Sequence, residues 1–170
     1  MATALPAGSL ADCYAQALLV EREAAARSLE FAEFLDDRGD TANADLFHKL
    51  ARYEAQHADE LARRSAGLPL PPLPTWRFNW LDDAPPEQVS HGMIFHLMTP
   101  YDALKIALGA ESRAKALFER MAEGGADVET RRLAHELACE ESEHIAWIEE
   151  ALARTPKPLV FDEDRCGPFA

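Results

Sequence analysis

Residues 54–57 read Glu-Ala-Gln-His, and residues 141–144 read Glu-Ser-Glu-His. In each stretch a carboxylate and an imidazole stand three residues apart, so on a helix both side chains leave the same face. Each motif has a lone glutamate upstream: Glu21 lies 33 residues before Glu54, and Glu111 lies 30 before Glu141. Around all four glutamates the apolar residues recur with helical period. Leu18, Ala24 and Leu35 share a face with Glu21, and Phe47, Leu50 and Leu61 with Glu54 and His57. Leu104, Ala107 and Phe118 share a face with Glu111, and Leu133, Leu137 and Ile148 with Glu141 and His144. Four apolar helical stripes, each interrupted near its middle by an acid, predict four helices packed with those acids inward.

A buried, unpaired carboxylate costs on the order of several kcal/mol. Four in one core would also repel one another and raise their pKa values. Two divalent cations remove both difficulties. The expected ligands are therefore Glu21, Glu54, His57, Glu111, Glu141 and His144, a set that matches dinuclear carboxylate centres built inside helical bundles. The two imidazoles add nitrogen donors, which favour two iron ions over magnesium or calcium, with manganese or a mixed iron–manganese pair as the other choices. Ala24 and Ala114, one turn beyond Glu21 and Glu111, leave room for the ions. A single Glu-x-x-His is a weak signal in a Glu-rich helical chain. The weight rests on the conjunction of two motifs, two partner glutamates and near-equal spacings.

The elements follow from local signals. Ser9 with Asp12 opens a first helix, and Gly39 closes it; a second runs from Thr41 toward Gly67. Thr99, Pro100 and Asp102 are an N-cap, an N1 proline and an N3 acid. Gly124-Gly125 ends the third helix, Asp127 caps the fourth, and Pro156 lies just past its end. One domain over 1–170 is expected, with helices at about 9–38, 41–66, 99–123 and 127–154, a crossover at 67–98 and a C-terminal tail at 155–170. The crossover is rich in proline and carries Trp76, Phe78 and Trp80, which read as packing anchors. Short links make each helix pair a hairpin, and the hairpins resemble each other. With Glu21 beside Glu111, Ala24 meets Ala114; with Glu54 beside Glu141, Leu50 meets Leu137 and His57 meets His144. The fold expected is all-α: an antiparallel four-helix bundle of two hairpins joined by a long Pro-rich crossover.

Composition narrows the function. A net charge of −13 argues against binding nucleic acid through its phosphates. No apolar run is long enough for a membrane span, and the N-terminus lacks the basic start of a secretory signal. Three scattered cysteines without a CxxC pair suggest a reducing, cytoplasmic setting. Elsewhere, His48 and His135 are expected to face solvent. Glu23, Glu140 and Glu143 flank the motifs and are expected to point elsewhere, at the surface or behind the ligands, and Cys139 to be a small buried hydrophobe. Tyr14, Tyr53 and Tyr101 read as core.

These residues resemble the ferritin-like superfamily, and most closely its rubrerythrin branch. The resemblance lies in Glu21 with Ala24 and Phe31-Ala32, in Glu54-Ala-Gln-His57-Ala58, in Thr99-Pro100, in Glu111 and in Glu141-Ser-Glu-His144, and it covers about residues 9–154. It implies a dinuclear iron oxidoreductase that activates O₂ or H₂O₂, with Glu54 and Glu141 bridging and Glu21 and Glu111 terminal. Two departures stand out. Ala114 occupies the position where rubrerythrins carry an extra ligand glutamate, which bears on the iron movement linked to their peroxide reduction. No rubredoxin domain with paired CxxC motifs is present, so an external electron donor protein is expected. A homodimer is the family habit. The same ligand set is similar to bacterioferritin ferroxidase centres and diiron oxygenases. Iron storage through ferroxidase activity, or a non-catalytic helical binding module, are the other readings.

Overall fold

Capping chemistry sets where each helix begins. The computed structural model describes residues 8–72 and 98–158. Among them are four α-helices and no strand: α1 (Leu10–Asp36), α2 (Thr41–Arg64), α3 (Pro100–Gly124) and α4 (Val128–Arg154). The Ser9 hydroxyl accepts from the Asp12 amide at 3.2 Å, and the Asp12 carboxylate accepts from the Ser9 amide at 2.9 Å. Thr99 and Asp102 repeat this reciprocal box at 3.2 and 2.9 Å, with Pro100 in the first turn, where its missing amide costs nothing. Asp40 caps α2 through the Asn43 amide, and Asp127 caps α4 through the Thr130 amide. Gly39, at φ +74°, makes the left-handed turn between α1 and α2.

The helices pair as the hairpins α1–α2 and α3–α4, which then pack on each other. The core has two apolar clusters. One gathers Phe31, Leu35, Phe47, Leu50, Leu104 and Ile148. The other gathers Cys13, Leu18, Leu61, Phe118, Leu133 and Leu137. The first therefore joins the C-terminal halves of α1 and α4 to the N-terminal halves of α2 and α3. The second joins the remaining halves. It follows that α2 and α3 run the same way, each antiparallel to its hairpin partner. The end of α2 and the start of α3 therefore lie at opposite ends of the bundle, which for the 24 residues of α2 is roughly 36 Å. That order of helix directions is the one a ferritin-like bundle has. Most of the crossover, including Trp76, Phe78, Trp80, His91 and His96, lies outside the described residues, as does most of the tail.

No helix among the described residues is long and apolar enough to cross a membrane.

Candidate metal centre

Between the two apolar clusters lies a polar layer. Glu21, Glu54, Glu111, Glu141 and His144 are buried, and His57 is partly so. Each sits where its helix stripe passes the middle of the bundle, so one side chain or one Glu–His pair arrives from each helix. They form two groups: Glu54, Glu111, Glu141 and His144, and Glu21, Glu54 and His57. Within each group one donor atom per residue lies within 4.8 Å of the others. The structure thus brings together all six side chains singled out in the sequence. Glu54 is common to both groups, whereas Glu141 belongs to one.

The contacts are close, yet they are not hydrogen bonds. His144 Nδ1 lies 2.8 Å from Glu54 Oε1, 3.4 Å from Glu111 Oε2 and 3.9 Å from Glu141 Oε2. His57 Nδ1 lies 3.4 Å from Glu21 Oε2. The angles needed for hydrogen bonding are missing. Both Nδ1 atoms, Glu21 Oε2, both oxygens of Glu54, Glu111 Oε1 and Glu141 Oε2 are buried without a partner. Buried polar atoms are almost always hydrogen-bonded, so this many orphans in one place needs a cause. Donor atoms that crowd together without bonding one another converge on shared points, as ligands do around a cation. The two imidazole rings stack at 5.7 Å with 12° between planes, which aligns them along the layer.

Electrostatics carries the same message. Burial pushes the Glu54 carboxyl well above the usual carboxylate range, and contact with Glu21 and the charge of Glu111 push it further. Burial does the same for Glu141, followed by the charge of Glu111. The Glu21 carboxylate beside His57 raises that imidazole against the opposing effect of burial. Each shift records a site short of positive charge. The donor set of carboxylate oxygens and imidazole nitrogens fits first-row transition metals.

Glu140, expected at the surface or behind the ligands, places Oε2 3.6 Å from His57 Nδ1. It sits about 100° around α4 from Glu141, which turns it toward α2 and the open edge of His57. Tyr53, read as core, is 36% exposed and lies edge-on to both imidazoles, with ring centroids 6.4 and 6.5 Å away. Cys139 is exposed, not buried, because two residues along a helix is about 200° of rotation from Glu141. His48 and His135 face solvent; His48 meets Asp36 at 2.8 Å. Trp147, which the sequence did not single out, packs against His144 at 5.2 Å. Its position one turn after His144 is the signal that could have marked it. Ala114 is partly buried beside the second apolar cluster.

No protein-family model and no curated protein matches the chain. One solved structure matches closely: an uncharacterised conserved protein of Magnetospirillum magnetotacticum MS-1. It is 35% identical, with a TM-score of 0.78, and the alignment covers 88% of this chain and 97% of that one. Likeness at that identity over nearly both whole lengths is more than a shared fold, and the chain belongs to the COG1633 family of conserved proteins.

Proposed function

We propose that this protein is a dinuclear non-haem metal oxidoreductase, holding two iron ions and acting on O₂ or H₂O₂ with electrons from an external donor protein. Manganese, alone or paired with iron, suits the same donors. The observation that carries the reading is the set of orphaned carboxylate oxygens and imidazole nitrogens gathered in one buried layer. Glu21 and His57 would hold one ion, and Glu111, Glu141 and His144 the other, with Glu54 shared between them. A bound ferrous pair supplies two electrons together, enough to reduce an O–O bond without a one-electron by-product.

The chain's own residues prepare the place for that chemistry. Four carboxylates offer about four negative charges, which offset two divalent cations and leave a near-neutral interior. Both imidazoles offer Nδ1 inward, so each is neutral at that nitrogen when it acts as a donor. The apolar clusters above and below the layer keep bulk water from the carboxylates and so strengthen their hold on a cation. The partly exposed edge of His57 lets a small oxidant approach.

Anaerobic loading with ferrous iron followed by hydrogen peroxide tests the proposal. A ferric absorption band together with loss of peroxide is expected. Neither appearing would remove the oxidoreductase reading.

A further inference from the structure

The two halves of the centre are built alike but end differently at the surface. Aligning the hairpins on Glu54 and Glu141 sets Tyr53 of α2 against Glu140 of α4, each one residue before its motif. On one side, His144 is 2% exposed and covered by aromatic rings. Tyr53 lies edge-on to it, Trp147 packs at 5.2 Å, and the Lys49 ammonium sits 3.2 Å from the centre of the Trp147 ring. That side presents rings and a positive charge. On the other side, His57 is 21% exposed, and beside it stands the 43%-exposed Glu140 carboxylate, 3.6 Å from Nδ1. Behind them Glu21 is 1% exposed, and its Oε2, buried and without a hydrogen-bond partner, faces His57 Nδ1 at 3.4 Å. Carboxylate oxygens therefore run from the surface to the buried layer on the His57 side.

We propose that Glu140 is the port ligand of the centre: a divalent cation is taken up on the His57 side, held first by Glu140 and His57, and passed inward to Glu21 and Glu54. The inference rests on the dinuclear reading above and adds a direction to it. A half-exposed carboxylate can meet a hydrated cation in solvent, which a fully buried one cannot do without first exposing itself. It then replaces part of the hydration shell before the cation enters the dry layer, dividing one large desolvation step into two smaller ones. The Lys49 ammonium on the Trp147 side repels the same cation. Glu140 differs from the six inner residues in what it does. It governs how fast the centre fills, and the resting complement of ions does not depend on it.

Cobalt(II) uptake, followed anaerobically by the visible absorption of the bound ion in stopped flow, tests this without any turnover. Expected is uptake about tenfold slower in Glu140→Gln than in the parent protein, with a weaker salt dependence and the same final number of ions. Glu149→Gln, which removes an equal charge from an exposed position on the same helix, should fill at the parent rate. Equal rates for Glu140→Gln and the parent overturn the port. A final count lower by one ion in Glu140→Gln also overturns it, by making Glu140 a resident ligand. If the parent protein takes up no cobalt, the dinuclear reading itself fails. The melting temperature of each variant shows that the bundle is intact.

Discussion

Glu54 has both oxygens buried and unpartnered, and it is the one carboxylate common to the two donor groups. Replacing it with Gln should therefore abolish binding of both cations, while Glu21→Gln should spare the group around His144; calorimetric titration with cobalt(II) separates the two results. The metal-free proteins should order the other way. Removing one buried like charge is expected to stabilise the apoprotein by about 1–3 kcal/mol at neutral pH, read from chemical denaturation. Acidity acts on the same groups. Glu54 and Glu141 are held above 4.5, so between that value and their raised values the folded chain binds more protons than the unfolded one. Stability then falls as pH rises through that window. His57, held above 6.5, adds a term of the same sign, present below that value and lost as pH climbs through the raised one. The apoprotein should accordingly melt at a higher temperature near about pH 5.5 than near about pH 8, and saturating metal should flatten the difference. The convergence of the four acids was legible because an acid in the middle of an apolar stripe is costly there, and the two imidazoles followed from their place three residues on. Glu140 was not legible. Its helix angle points it off the stripe, and only the neighbouring α2, which brings His57 alongside, gives it a task.

At the scale of the elements, the caps are local and so were readable. Ser9 with Asp12 and Thr99 with Asp102 close their boxes through residues three apart, without help from the rest of the fold. Thr99→Ala should cost about 1 kcal/mol, and Gly39→Ala, forced to φ +74°, about the same, both seen as lower denaturant midpoints with unchanged metal stoichiometry. The relative direction of α2 and α3 is a different kind of fact. Periodicity marks each helix but does not orient it. The long Pro-rich connection suggested that direction, and the division of the core into two clusters established it, by showing which helix ends share a cluster. Which oxygens of the layer serve both donor groups was beyond periodicity as well. The internal likeness of the hairpins suggested equal roles for the two motifs, but it cannot register the different surroundings of their histidines: rings near His144, Glu140 near His57.

At the scale of the whole bundle, the described residues form two apolar clusters with a layer of acids and imidazoles between them. The layer opposes folding until it is neutralised, so on the proposed reading metal and stability are linked. A cation at a hundredfold excess over its dissociation constant should raise the unfolding free energy by about 2.7 kcal/mol per site, and a chelator should reverse the gain. Such a linkage would account for a chain that keeps four buried glutamates and still folds. It also separates a working centre from a structural polar network, in which the added ion would change nothing. The most direct check is elemental analysis of iron and manganese per chain in protein purified from iron-replete cells without chelator. About two ions per chain are predicted, falling to none in Glu54→Gln. A correctly folded parent protein that carries neither metal, and gains no stability when either is supplied anaerobically, would contradict the account.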